Sequence, residues 1–188
     1  SELDTENLLP ERIGSRQVQA LVDLEVFEMT EKLYGELLAM GRDDLRHSLG
    51  EFYYYKSFVH EYLGDNATAL KLMYKMIEIF KEELDQGVSE DAVTWLYHSY
   101  LKTGAHLHYV GQFNEAMECF NNAVDIFKRY DSAENGWIDS FSRSTVLNNL
   151  GIISCELMQF QDAVEYGQQS LDEVNKTSAE SDSAEYLR

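Results

Sequence analysis

Apolar residues recur along most of this chain at spacings of three and four, which is the periodicity of a helix that packs on one face. One such segment contains Leu70, Met73, Met76, Ile77, Phe80 and Leu84. No segment alternates apolar and polar positions as a half-buried strand would. The single proline is Pro10, so nothing after it prevents long helices. The pattern therefore predicts an all-α protein.

The same periodicity predicts seven helices joined by short turns. Their predicted ranges are 16–40, 43–63, 65–86, 89–110, 112–130, 136–157 and 159–175. Residues 1–15 are predicted to be an irregular acidic segment, residues 16–175 a single helical domain, and residues 176–188 a polar tail that could begin a further helix. Because the chain starts at Ser1 and ends within a helical pattern, we expect it to be an excised N-terminal part of a longer protein.

Three segments align without gaps at a period of 47 residues, which defines repeats at about 43–86, 89–130 and 136–175. Each contains an alanine at the same position: Ala69, Ala116 and Ala163. Twelve positions earlier each has a small residue: Ser57, Gly104 and Gly151. Between them lies a turn position, held by Gly64, Gly111 and Met158. We expect each alanine to face the small residue of its own repeat, because two small side chains let a helix pair pack closely.

The second copy resembles the tetratricopeptide repeat through Gly104, Gly111, Phe113, Ala116, Phe120 and Ala123. The third copy matches at Leu150, Gly151, Phe160 and Ala163, and the first at Gly64 and Ala69. The resemblance implies antiparallel helix pairs stacked as an α-solenoid. The family's unit is roughly 34 residues and ends in a proline, whereas this chain has longer units without that proline. It is therefore more similar to long-repeat variants from bacterial transcription regulators, sensor kinases and nucleotide-cyclase-type enzymes.

The resemblance also implies a binding groove lined by the first helix of each pair. Carrying over the groove positions gives Tyr54, Phe58, Glu61 and Tyr62, then His98, Leu101, His108 and Tyr109, then Asn148, Ile152 and Glu156. These groove positions are aromatic and acidic, and they include no lysine or arginine. We expect them to bind a protein or peptide in a regulatory or sensory module. The alternative is a structural scaffold or dimerisation spacer in which the aromatic residues are core and the groove is filled.

The net charge of −19 restricts which classes of molecule can bind this chain. Nucleic acids and anionic membranes are excluded as partners because both would be repelled. We expect the partner to be neutral to basic, either another protein or another domain of the same chain, and a homodimer is left open.

Residues that could carry chemistry do not form a recognisable motif. His106 and His108 lie two positions apart, which places them on different sides of a helix, and no phosphate-binding loop is present. The sequence therefore predicts no metal, no cofactor and no enzymatic activity. Two cysteines are too few for a disulfide framework, which favours a reducing, cytoplasmic compartment.

Overall fold

The computed structural model describes residues 15–130 and 136–185, with side chains for residues 23–130 and 136–176. Within these ranges the fold is all-α, as predicted, and contains no strand. The helices of the described chain are α1 (Ser15–Ala39), α2 (Arg46–Tyr62), α3 (Asn66–Gln86), α4 (Glu90–Tyr109), α5 (Phe113–Tyr130), α6 (Ser140–Glu156) and α7 (Phe160–Glu185). A short 3-10 helix, Asp43–Leu45, leads into α2.

Helix boundaries differ from the predicted ones mainly in the last pair. Helix α6 begins at Ser140 and not near residue 136, because the Asp139 carboxylate caps it by accepting a hydrogen bond from the Ser142 N–H. Helix α7 continues to Glu185, so residues 176–185 extend it instead of forming a separate tail. That segment is polar but contains neither proline nor glycine, so nothing in it ends a helix. The predicted irregular segment 1–15 lies outside the described residues except for Ser15.

The turn within each helix pair has the same backbone in all three copies. Gly64, Gly111 and Met158 have positive φ angles of 77°, 82° and 59°. In every copy the N–H of this residue donates to the carbonyl three positions earlier, and the following N–H donates to the carbonyl five positions earlier. A left-handed residue at a helix end is usually glycine. The third copy keeps the repeat backbone although a methionine has taken that place.

Neighbouring helices pack in chain order, as expected for a helical repeat. Each pair, α2 with α3, α4 with α5 and α6 with α7, also packs against the next pair through α3 with α4 and α5 with α6, and α1 covers α2. One core of buried residues runs through the stack, and its largest fully buried side chains are Tyr97, Phe80 and Phe120. Each second helix inside the stack therefore buries two sides, one against its own first helix and one against the helix that follows.

The small residues of the first helices make close contacts, although not all with the predicted alanine. A Cβ atom at Gly104 would lie 2.7 Å from the ring of Phe120, so this ring, and not Ala116, fills the space beside the glycine. In the third pair the predicted alanine does lie beside the glycine, since a Cβ at Gly151 would be 3.4 Å from the backbone oxygen of Ala163. Helix pairs in this fold use glycine to admit an aromatic ring as well as to admit a backbone.

Candidate functional site

The eleven predicted groove residues lie on α2, α4 and α6, the first helices of the three pairs. Six of them are exposed: Phe58, Tyr62, Tyr109, Asn148, Ile152 and Glu156. Five are partly buried: Tyr54, Glu61, His98, Leu101 and His108. The set is therefore neither a closed core nor a uniformly open surface, and its two parts have different chemistry.

The exposed part is rich in aromatic rings. Tyr62 is 56% exposed, Tyr109 is 81% exposed and Phe58 is 47% exposed. The structure adds Tyr55, which is also 56% exposed and lies three and seven positions before Phe58 and Tyr62, on the same face of α2. The groove register selects Tyr54 and so missed Tyr55, although the apolar spacing of α2 could have identified it. We call Tyr55, Phe58, Tyr62 and Tyr109 the exposed aromatic set.

Tyr54 has a packing role between α2 and α4. Its ring meets that of Phe58 edge-on at 5.0 Å between centroids and that of Trp95 at 5.5 Å. Trp95 in turn stacks on Phe80 at 5.5 Å. Burial raises the pKa of the Tyr54 hydroxyl, with smaller contributions from neighbouring acidic groups. Tyr54 therefore joins the two first helices and is not an open recognition residue.

Glu61 is engaged by two residues of α4. Its carboxylate lies 2.5 Å from the Nζ of Lys102 and 2.8 Å from the Nδ1 of His106. The side chains of Lys102 and His106 are only 9% and 2% exposed. The Lys102 ammonium also lies 3.1 Å from the centroid of the Phe58 ring, a cation–π contact. Lys102 is not one of the predicted groove positions, but it neutralises the carboxylate of Glu61, which is one of them.

Burial lowers the pKa of two basic side chains in or beside the predicted groove, Lys102 and His98. Desolvation lowers the pKa of Lys102, and the hydrogen bond and charge of Glu61 offset part of that effect. Burial also lowers the pKa of His98, against the raising effect of the Asp139 charge. His98 is thus a neutral, half-buried side chain at pH 7, and it offers a ligand little charge.

A second ion cluster holds α1 on the first pair. Glu31 of α1 lies 2.5 Å from the Nζ of Lys56 and 3.1 Å from that of Lys75, and it accepts a hydrogen bond from the Tyr53 hydroxyl at 3.2 Å. Burial alone would raise the pKa of Glu31, but the two lysines outweigh it and lower the pKa to about 2. This cluster links three helices, and all of its charged side chains are paired with one another, so its role is structural.

Within the described part of the chain, no three His, Cys, Asp or Glu side chains converge as metal ligands would. None of the described helices combines the length and the apolar character needed to cross a bilayer.

Comparison with known proteins yields likeness to solved structures alone. No family model and no curated protein sequence matches this chain. Among solved structures, the crystal structure of BtubC (BKLC) from P. vanneervenii matches with a TM-score of 0.69 at 16% sequence identity. The match covers 87% of this chain and 59% of BtubC, so the chain spans little more than half the length of that protein. At this identity the likeness shows the fold alone.

Proposed function

We propose that this chain is a non-catalytic interaction module of the tetratricopeptide type, which binds a protein or peptide on the first helices of its pairs. The proposed role is regulatory or sensory, in a cytoplasmic setting. The observation that carries the proposal is the exposed aromatic set, Tyr55, Phe58, Tyr62 and Tyr109, on two successive first helices.

Exposed rings of this size favour a binding surface. Tyrosine offers a large apolar body and a hydroxyl, and it is enriched among the residues that dominate interface energies. Tyr62 and Tyr109 are 47 residues apart and both precede a repeat turn, so the fold presents them at equivalent places on adjacent helix pairs. A partner lying across the first helices could contact both.

The tetratricopeptide assignment is supported by the turns. The same left-handed residue and the same two backbone hydrogen bonds recur at 47-residue intervals in three pairs. This repetition is the behaviour of stacked structural units that each contact their neighbours.

The charges of the folded chain restrict the chemistry of the partner less than the sequence alone indicated. The net charge of −19 still disfavours acidic partners. Glu61, however, is paired with Lys102 and His106, so Glu156 is the exposed carboxylate of the predicted groove. We therefore propose a neutral to basic partner whose binding energy comes mainly from contacts with the aromatic set.

A structural scaffold is the second candidate, and one observation favours it. Lys102 covers the Phe58 ring and pairs with Glu61, so the chain's own side chains fill the middle of the predicted groove. In a scaffold, Tyr62 and Tyr109 would have no partner and their replacement would change nothing but local packing.

Replacing Tyr62 and Tyr109 by alanine separates the two candidates. An interaction module should lose partner binding by about 2 kcal/mol or more, roughly 30-fold, as expected when central aromatic anchors are truncated. Capture of partners from native lysate by the wild-type and double-variant chains, quantified by mass spectrometry, measures the loss. The matched control is Tyr74→Ala, an exposed tyrosine of α3 outside the groove.

Thermal unfolding of each variant completes the test. Because both rings are exposed, the double variant should unfold close to the wild-type temperature. A folded double variant that retains every captured protein would reject the interaction module at this face. Equal loss with Tyr74→Ala would show that capture depends on surface tyrosines in general.

A further inference from the structure

Helix α7 presents an apolar stripe to solvent. Phe160, Val164 and Leu171 are 64%, 69% and 52% exposed. With Gly167 they follow each other at spacings of four, three and four, which places them on one face of the helix. We call these four residues the α7 stripe. The stripe is about 17 Å long at 1.5 Å per residue, enough to lie along three turns of another helix.

The fold itself shows twice what covers such a stripe. The equivalent residues of α5, 47 positions earlier, are Phe113, Met117, Phe120 and Val124, and those of α3 are Asn66, Leu70, Met73 and Ile77. In both helices the last two residues of the set are buried, and the second is partly buried against the core; the Phe120 ring also lies against Gly104 of α4. Helix α6 packs on α5 and helix α4 packs on α3, whereas no helix follows α7 among the described residues. The shape of the α7 stripe is therefore that of a surface that receives a helix.

The charges around the stripe indicate the chemistry of that helix. From residue 156 to 176 the chain has five carboxylates (Glu156, Asp162, Glu165, Asp172 and Glu173) and one lysine, Lys176. Lys176 pairs with Glu173. No ion pair joins Glu156, Asp162, Glu165 or Asp172 to a base within the described part of the chain. Elsewhere in the stack, carboxylates meet bases from other helices, as Glu61 of α2 meets Lys102 of α4 and Glu82 of α3 meets Arg46 of α2.

We infer that the α7 stripe is a docking surface for a basic amphipathic helix of another protein, which would lie along α7 as α6 lies along α5. The apolar face of that helix would cover Val164 and Leu171, and Gly167 would admit a large side chain, since a Cβ at this position would have no atom within 4 Å. Lysine or arginine residues beside the apolar face would meet Glu165 and Asp172. This surface is separate from the exposed aromatic set and does not depend on it.

A second copy of the chain is a poorer occupant. It would bring the same carboxylates against Glu165 and Asp172, and like charges across an interface oppose association. Each copy would also carry the overall charge of −19. A basic helix removes both costs.

Two synthetic peptides test the inference against the full 188-residue chain. Both have 20 residues, the length of α4, with leucines at spacings of three and four, and they differ only in having lysines or glutamates beside the leucines. Fluorescence anisotropy of the labelled peptides measures binding. We expect the lysine peptide to bind, and to bind more weakly as salt rises, whereas the glutamate peptide does not bind.

Variants locate the bound peptide. Val164→Ser with Leu171→Ser should weaken the lysine peptide about tenfold or more, since both contacts lie at the centre of the stripe. The matched control is Val26→Ser with Leu33→Ser, which removes similarly exposed apolar side chains from α1 at the other end of the stack. Glu165→Gln with Asp172→Asn should also weaken the lysine peptide and flatten its salt dependence. This charge pair keeps the apolar stripe and serves as the test if the serine variants do not fold.

Four results would overturn the inference. Equal binding of the two peptides would remove the charge argument, and undiminished binding to the serine variants would place the peptide elsewhere. Loss of the peptide in the Tyr62→Ala, Tyr109→Ala variant with retention in the serine variants would assign it to the groove. Sedimentation velocity that shows a dimer of the wild-type chain, dissociated by Leu171→Ser, would assign the stripe to a second copy.

Discussion

The second and third helix pairs have related sequences and different surroundings. In both, the first helix has a glycine at the same position of the repeat, Gly104 in α4 and Gly151 in α6. In the second pair the ring of Phe120 lies against this glycine, whereas in the third pair the backbone of Ala163 and Gly167 approaches it. Phe120 is fully buried, while Val164 and Leu171, on either side of Gly167 along α7, are exposed.

The difference shows that burial in this fold is decided by position in the stack as much as by the repeat sequence. Phe113 of α5 and Phe160 of α7 are the same residue type at the same repeat position. Phe113 is partly buried, its ring lies 5.7 Å from that of His108 in α4, and α6 packs on α5. Phe160 is 64% exposed, and no described helix follows α7. An aromatic residue is therefore core in one pair and surface in the next.

The largest expected effect comes from truncating an aromatic ring in each pair. Phe120→Ala should reduce the free energy of unfolding by about 3–5 kcal/mol, because the ring is fully buried beside Gly104 and its loss leaves a cavity. Phe160→Ala should change it by no more than about 0.5 kcal/mol, as for other surface positions. Urea unfolding followed by circular dichroism measures both. A cost below about 1 kcal/mol for Phe120→Ala would contradict the packing described for the second pair.

The sequence predicted the helices and their repeat, because each apolar face has its own periodicity and two of the three turns have a glycine at the same position. It also placed Tyr62 and Tyr109 at equivalent turn positions, where the structure finds them exposed. The α7 stripe could not be predicted in the same way. Three of its four residues are apolar like their equivalents in α5, with Gly167 in place of Phe120, and the described residues include no helix after α7 to cover them.

The pairing of Glu61 with Lys102 also could not be predicted from the sequence. The two residues are 41 positions apart, six short of the repeat period, so no register brings them together. Their contact depends on how α2 and α4 lie beside each other and on the reach of a lysine side chain across the Phe58 ring. Such a contact follows from packing geometry, which periodicity does not specify.

The glycines at equivalent positions of the second and third pairs, Gly104 and Gly151, give a sharper test of how the two pairs differ in packing. Gly104→Ala should destabilise the fold by about 1–3 kcal/mol, because the new Cβ would lie 2.7 Å from the fully buried ring of Phe120, which would have to shift. Gly151→Ala should be neutral or slightly stabilising, since its Cβ would make ordinary contacts at 3.4 Å and alanine is the better helix former by about 0.5–1 kcal/mol. Differential scanning calorimetry of the two variants gives the comparison directly. Equal destabilisation would show that the third pair packs as tightly as the second.

The smallest expected effect concerns the turns of the two pairs. Met158 holds a φ of 59° where Gly111 has 82°, and a left-handed residue with a Cβ costs about 1–2 kcal/mol. Met158→Gly removes that cost, while the greater freedom of glycine in the unfolded chain offsets about 0.4–1 kcal/mol. The Met158 side chain is 78% exposed, so little packing is lost.

We therefore expect Met158→Gly to stabilise the chain by about 0.5–1 kcal/mol, measured by urea unfolding. Met158→Ala is the control, because it removes the same side chain and keeps the backbone strain, so it should leave stability unchanged. The reverse substitution, Gly111→Met, should destabilise the second pair by about the amount gained in the third. If Met158→Ala stabilises as much as Met158→Gly, the exposed methionine side chain and not its backbone is the source of the cost, and the two turns are equivalent in strain.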